Sequence, residues 1–531
     1  MRAQPGPLRA VTTWKLWRCL FALCLAVGLV LAPVQAGREG WGPQTASAGF
    51  FNTELELFEE VLDLVTEKYV YPPDYRKIFA GAIDQMLETV PAEGLILRDH
   101  GSGKTLKSHD HKLTYYLNYS RKDNLNATRN VYRFLLRHLP AKVKETDLER
   151  AAIFGLMDSL DEYSLYMDPE EFENSMRDTE GQYGGLGMVI TMEDYQLTVV
   201  KTMKNSPAAR AGLQKGDIIT HVDGEPVKGL HIQELARRLR GYPNTQVRIQ
   251  IHRPKTGSDL HFVMTREIIS IETVQWRWLP ERTAYIKISS FSKQTNEQLE
   301  EVLTEARKKK VGAFILDLRD NPGGLLKQSV LVASHFLAPG KRVVYTRGRH
   351  RRDTQEYEAL FEDSFHRLPV AVLLNHHSAS AAEIVAGSLR DSGKAILIGE
   401  NSYGKGSVQT IFRMSDGSGL RLTTSKYYTP SGTDISEHGI EPEIHIERDL
   451  VPAPPEARET GSRKGRTPSP KKQLVVKESE LTQYLKARGI EPSEDLDPLA
   501  HFARIVLKGS RTATRSHALA RARELVREMH Y

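Results

Sequence analysis

Residues 369–375, PVAVLLN, make a strand-length run with almost no polar interruption, and a helical stretch, SAAEIVAGSLRD, begins five residues later. A strand of this kind is buried and needs packing on both faces. The texture recurs in AYIKISSF (284–291) and GAFILDL (312–318), with the helical NEQLEEVLTEARKKK between them. Strands and helices alternating in this way form an α/β layer pattern, which we place at 269–447 together with parts of 150–180.

Length allows more than this one core. At 531 residues the chain has room for about three or four domains. Its 40% hydrophobic and 26% charged residues exclude a fibrous or wholly disordered protein. The net charge of +6 is too mild to announce a nucleic-acid partner. The basic tracts at 349–352 and 463–466 are short and lack aromatic neighbours, so they read as solvated surface. The 18 histidines show no H-E-x-x-H or other paired spacing, so no metal site is expected.

The amino-terminal segment carries a separate signal. Arg2, Arg9, Lys15 and Arg18 precede the apolar run Cys19–Ala32, and Val34-Gln35-Ala36 follows it. A basic start, a short apolar core and a small-residue end are the parts of a secretory signal peptide. Residues 1–36 are therefore expected to be a signal, or an uncleaved membrane anchor if Trp14–Trp17 join the apolar segment. The protein is expected to be exported, either periplasmic or held on the outer face of the cytoplasmic membrane. Both cysteines, Cys19 and Cys24, lie inside that run, so cleavage leaves no thiol and excludes disulfides and cysteine catalysis.

Further segments follow from periodicity. Residues 50–178 read as a helical amino-terminal region, with the polar stretch 92–147 as helices and long loops. Residues 181–268 switch to short β-rich runs such as LTVVKTM and QVRIQIHR, with one helix near 231–240. Residues 450–473 are a basic, Pro-rich linker, and 474–531 regain helical spacing as a carboxy-terminal tail.

Three constellations bear on chemistry. The turn Gly184-Gly185-Leu186-Gly187 enters a strand, so its N–H groups can converge on an anion, though a plain hairpin turn has the same composition. Ser380-Ala381-Ala382-Glu383 is a capping box, sufficient in itself as structure. A helix start after a strand is equally where a serine nucleophile gains from backbone N–H groups. The third, Gly399 to Gln409, begins like a phosphate-binding loop, G-x-x-x-x-G-K. However, Gly406 replaces the required Ser or Thr, and SVQTIFRM alternates like a strand. The other reading is a lysine, Lys405, held between glycines among uncharged neighbours. As a base it has to be neutral, which requires burial to lower its pKa by about three units.

Beyond these local readings, SPAARAGLQKGDIITHVDGEPV in its surroundings closely resembles a PDZ domain, over about 85 residues at 181–268. That resemblance implies capture of a polypeptide C-terminus, with Gly185, Leu186 and Gly187 as the carboxylate-binding turn. HSASAAEIVAGSLRD, GKGSVQ, LRDNPGGLL (318–326) and YYTPSG (427–432) together resemble the carboxyl-terminal processing peptidases, tail-specific serine proteases with an inserted PDZ domain. The resemblance runs from about Ala151 to Glu447 and implies a crotonase-like α/β catalytic core without cofactor. It makes Ser380 the nucleophile, Lys405 the general base, Gln409 the residue orienting that lysine, and Asp391 an acidic member of the same motif. The amides of Gly323 or Gly324, with that of Ala381, become the expected oxyanion hole. Two positions depart from the family pattern: Ala382 where serine is frequent, and Asp161-Glu162-Tyr163-Ser164 where DPHS is frequent.

The resulting expectation is an extracytoplasmic serine endopeptidase acting on polypeptides with accessible, apolar C-termini. It extends to membrane association, an adaptor protein and a homo-oligomer. The alternatives are a catalytically inactive PDZ scaffold or chaperone of the same fold, and a nucleotide-binding loop at 399–406.

Overall fold

A computed structural model describes residues 54–91, 95–101, 103–138, 144–193, 195–448, 474–491, 496–508 and 515–529. The expected signal or anchor at 1–36 and the linker at 450–473 lie outside the described residues.

The main layer is a seven-stranded sheet whose strands lie side by side in chain order: Val274–Leu279, Thr283–Ile288, Ala313–Asp317, Val370–Leu374, Ala395–Gly399, Ile444–Glu447 and Leu474–Lys477. The first strand is antiparallel to the second, and the others are parallel. Alternate side chains divide between two cores. Ile286, Phe314, Leu316, Val372 and Leu374 pack beneath the helices Thr295–Lys308, Leu326–Ser334 and Ala381–Asp391. Ile315, Ala371, Leu373, Ile396 and Ile398 face the other way.

What covers that second face is the carboxy-terminal tail. The tail is not a solvated extension. It contributes the seventh strand and the helices Glu478–Ala487, Pro498–Lys508 and Arg515–Met529, which bury Leu485, Phe502, Val506 and Leu525 against the sheet. Arg319 fastens tail to core by pairing with both Asp317 and Asp497 at 2.5 Å.

A second, antiparallel sheet is built on Gly419–Tyr428, flanked by Ser407–Arg413 and Arg342–Gly348, with Leu165–Met167 also paired to it. The amino-terminal helices Glu56–Lys68, Tyr75–Thr89 and Glu145–Asp158 pack against Leu420 and Leu422 of this sheet. At Gly81 and Gly155 two helix backbones touch. A Cβ on either glycine would lie within 2.3 Å of the other's carbonyl oxygen, so neither position accommodates a side chain.

The reading of 92–147 as helices with loops needs correction. Residues 95–99, 104–108 and 111–115 form a three-stranded antiparallel meander ahead of the helix Arg121–His138. Its strands are five residues long, the outer two are largely exposed, and the central one buries Thr105, Leu106 and Ser108, of which only Leu106 is apolar, so no apolar period of two marks them.

The β-rich segment forms a sheet of its own. Its strands run in the order 258–265, 246–253, 218–222, 196–202, 188–193, with the helix Ile232–Leu239 packed on them. The chain enters and leaves through one antiparallel pair, Gln182–Gly185 with Glu267–Ser270.

Candidate active site

The Ser380 elbow is shaped by its neighbours. The strand Val370–Leu374 ends at Asn375, whose side chain exchanges two hydrogen bonds with Asp320, at 2.9 and 2.7 Å. The Ser378 hydroxyl donates to the Leu318 carbonyl at 2.8 Å, and the Ala379 N–H to that of Asn321 at 2.9 Å. Held against the 318–324 turn in this way, Ser380 is forced to φ 54°, an unfavourable conformation for a non-glycine residue, costing about 1–3 kcal/mol. The helix Ala381–Asp391 starts immediately after it.

Glu383 joins this elbow to the lysine loop. Its side chain is fully buried and receives four hydrogen bonds: from the Ser380 N–H at 2.7 Å, the Lys405 N–H at 2.9 Å, the Gly404 N–H at 2.7 Å and the Ser402 hydroxyl at 2.5 Å. The first two land on the same carboxylate oxygen. Burial pushes the carboxyl pKa up, while the four donors pull against that rise. The reverse arm of the capping box therefore does more than cap.

Ser380, Lys405, Gln409, Gly323 and Gly324 all line one cavity of about 980 Å³. Burial, and next the positive charge of Arg421, hold the Lys405 amine below the usual lysine range, against the pull of Glu162, Asp161 and Glu383. The amine lies over the Tyr163 ring, 4.7 Å from its centre. Gln409 donates to the Ser407 hydroxyl at 2.8 Å and does not bond to Lys405. Tyr427 is buried on the cavity wall beside Ser380, and burial raises its hydroxyl pKa, so it stays protonated.

Two expected roles need correction. Asp391 is not brought to the cavity. It ends the helix that Ser380 begins, about 16 Å away along the axis. Its carboxylate accepts from the Ser431 N–H at 3.1 Å and pairs with Arg390 at 3.0 Å, tying down the YYTPSG turn. The Gly323 N–H is also occupied, donating to Asn321 Oδ1 at 2.8 Å. Gly323 serves by its lack of a side chain, since a Cβ there would lie 2.7 Å from the Ser380 Cβ. Gly324 forms a parallel bridge with Phe291, which bonds to Gly323 O and Leu325 N–H and leaves the Gly324 N–H aimed away. The Ala381 N–H is in the first turn of its helix, where no carbonyl partner exists.

Lys405 and Gly406 lead into the strand Ser407–Arg413. A phosphate-binding loop requires a helix there, so the nucleotide reading is set aside. Among the described residues, no cluster of three or more His, Cys, Asp or Glu is arranged to hold a metal ion.

In the β-rich unit, the Leu186 side chain is buried and its carbonyl accepts from the Ala208 N–H at 2.9 Å. Gly187 has φ +68°, and a Cβ there would meet the Ser206 Cβ at 2.3 Å. Gly185 is paired with Glu267 in the entry strands. The strand Met188–Glu193 that follows this turn is the sheet's edge, and Met188, Ile190 and Met192 are half-buried along it.

Comparison with known proteins agrees with this layout. Residues 282–446 match Peptidase family S41, and residues 198–253 match a PDZ domain. The carboxy-terminal-processing protease of Bartonella bacilliformis is 40% identical over 303 residues, covering 56% of this chain and 69% of that protein. The carboxy-terminal processing protease CtpA of Bacillus subtilis is 34% identical over 307 residues, covering 58% and 65%. Among solved structures, the photosystem II D1 C-terminal processing protease aligns with 74% of this chain and 93% of its own, at 24% identity and a TM-score of 0.40.

Proposed function

The chain belongs to Peptidase family S41 and is a serine-type endopeptidase of the carboxy-terminal-processing kind, and from that premise we propose that Ser380 is its nucleophile and Lys405 its general base. The observation that carries this reading is the single Glu383 oxygen that accepts both the Ser380 and the Lys405 N–H. One fixed, buried atom sets the two residues beside each other at the wall of one cavity.

The chemistry follows from that arrangement. A neutral Lys405 amine takes the Ser380 hydroxyl proton, and the alkoxide attacks the substrate carbonyl. The N–H groups of Gly324 and Ala381 stabilise the oxyanion as charge develops on it. The lysine ammonium then gives its proton to the leaving amine. Water, deprotonated by the same amine, resolves the acyl-enzyme. The lysine has to leave the Tyr163 face to do this, and its four-carbon stem allows the swing. We read the core as crotonase-like, supported by the sequential sheet with the nucleophile helix on one face.

Substrate delivery falls to the PDZ domain. A polypeptide adds as a further strand beside Met188–Glu193, with its terminal carboxylate at the Leu186–Gly187 amides. The half-buried Met188, Ile190 and Met192 favour apolar C-termini. Residues 1–36 support export, so the enzyme acts outside the cytoplasm. No observation favours the inactive scaffold, and Ser380, Lys405 and Gln409 are all retained.

The test compares wild type with Ser380→Ala and Lys405→Ala on unfolded polypeptides bearing apolar or charged C-termini. Turnover should vanish in both variants, and wild type should prefer apolar ends. Equal turnover in all three proteins rejects the dyad.

A further inference from the structure

Beyond its effect on the Lys405 amine, Arg421 has no part in the mechanism above. Arg421 lies on the strand Gly419–Tyr428, directly opposite Ile411, two residues from Gln409 along the neighbouring strand. Residues two apart on a strand share a face. Accordingly Gln409, Ile411 and Arg421 all line the cavity that holds Ser380 and Lys405.

The guanidinium is half-buried and has no acidic partner among the described residues. Among the described residues its side chain donates one hydrogen bond, to the neutral Ser175 hydroxyl at 2.9 Å, out of five N–H donors. Among the described residues, burial is what acts on its charge. Other buried or partly buried arginines have their donors occupied: Arg266 bonds to the Leu239, Gln246 and Arg238 carbonyls and the Thr245 hydroxyl, and two more are paired with acids. Arg319 has Asp317 and Asp497, and Arg253 has Asp217. The other charged residues of the cavity wall, Lys327, Glu356 and Glu358, are exposed, and Glu356 is already paired with Arg342 at 2.8 Å. A half-buried guanidinium on the wall of the catalytic cavity, with no counter-charge among the described residues, is suited to a planar anion brought by the ligand.

We propose that Arg421 is a substrate-binding residue that receives a carboxylate of the polypeptide in the catalytic cavity, next to the bond being cut. The carboxylate belongs to an acidic side chain flanking the scissile bond or to the chain terminus itself. The recognising chemistry, a forked pair of charge-assisted hydrogen bonds, is the same for both. This specificity is separate from the PDZ turn, which lies on another domain. It deepens the peptidase reading and rests on it for the identity of the cavity.

The test is a binding measurement, so it stands independently of turnover. Full-length Ser380→Ala protein, with and without Arg421→Met, is titrated against a fluorescent, unstructured 15-residue peptide with an apolar end. The peptide is made with Glu or Gln scanned through its central positions, and with a free or amidated terminus. Anisotropy gives the affinity of each form. We expect the protein that keeps Arg421 to prefer a carboxylate form over its amide by about tenfold, and Arg421→Met to lose that preference. Loss in the Glu/Gln pairs identifies a side-chain acid, and loss in the terminal pair identifies the chain end. Any terminal preference due to the PDZ domain persists in Arg421→Met and cancels in the comparison. Arg421→Lys, which keeps the charge but not the fork, should retain a reduced preference and guards against a folding defect in the methionine variant. Carboxylate-to-amide ratios that are the same with and without the Arg421→Met substitution overturn the proposal. Failure of the dyad is read separately, from hydrolysis by the Ser380 enzyme.

Discussion

The amine of Lys405 stands 4.7 Å from the centre of the Tyr163 ring, over its face, and is not hydrogen-bonded to the Ser380 hydroxyl. An aromatic face attracts the charged ammonium and does little for the neutral amine, by about 0.5–2 kcal/mol. Tyr163 therefore opposes the burial that lowers the Lys405 pKa. Replacing the ring with Tyr163→Leu should move the acidic limb of the kcat/KM profile to lower pH, by on the order of half a unit. Tyr163→Phe, which keeps the ring, should leave the limb near its wild-type position. An unmoved limb in the leucine variant means the contact carries no weight.

Glu383 holds four donors at a fully buried position. Glu383→Ala leaves three backbone amides and the Ser402 hydroxyl without that partner, at about 1–3 kcal/mol for each group left unsatisfied. Thermal unfolding should show a large loss of stability. In Glu383→Gln the fold survives better, and kcat should fall at least about a hundredfold with a smaller change in KM, because the two loops lose their common anchor. A glutamine variant with normal kcat would contradict the positioning role.

His335 governs part of the acid stability. It is buried, its ring is stacked on Phe361 at 4.4 Å, and Nε2 lies 2.9 Å from Asn296 Oδ1. Burial, with Arg307 nearby, pushes its pKa down to about 4, although Glu300 stands 3.9 Å from the ring nitrogen. Between about 4 and the unfolded value of about 6.5, the unfolded chain binds a proton that the folded one does not, so stability rises with pH. Its contribution is complete above that window and is lost as pH falls through it, at about 1.4 kcal/mol per unit. His335→Gln should flatten the stability profile between those limits. Denaturant titrations from pH 4 to 7 measure the slope, and an unchanged slope rejects the assignment.

Phe502 is fully buried where the tail meets the sheet face formed by Ile315, Leu373 and Ile398. Phe502→Ala should cost about 3–5 kcal/mol. If the tail and sheet form one cooperative unit, the loss will appear as a lower midpoint in a single unfolding transition followed by circular dichroism. A separate early transition, with peptidase activity intact after it, would show the tail to be dispensable.

How far these features can be read in advance depends on whether they are local. The strands 313–317, 370–374 and 395–399 declare themselves because each is apolar on both faces. The turn at Ser380 is marked by a strand end followed by a capping box. The meander at 95–115 is hidden because its outer strands are largely exposed and its central strand buries Thr105 and Ser108 beside Leu106. The tail reads as helical, but its partner is a sheet face more than 150 positions earlier in the chain at Ile315, and periodicity carries no information about partners. Asp391 sits in a family motif, and only the length of its helix reveals that it faces a different loop. Glu383 is visible as a cap, whereas its bond to Lys405 depends on where two distant loops meet. Tyr163 is legible only as a departure from DPHS, and Arg421 leaves no mark, since strand pairing alone turns it toward the cavity.

The seventh strand and the helix Pro498–Lys508 cover a sheet face whose strands are made much earlier in the chain. Ser380 and Lys405 emerge from the ribosome well before the segment that shelters the underside of their sheet. Until that segment arrives, Ile315, Leu373 and Ile398 remain open to water and the α/β layer has only one of its two coverings. Closing both faces of the catalytic layer therefore has to wait until residues 474–529 have been made.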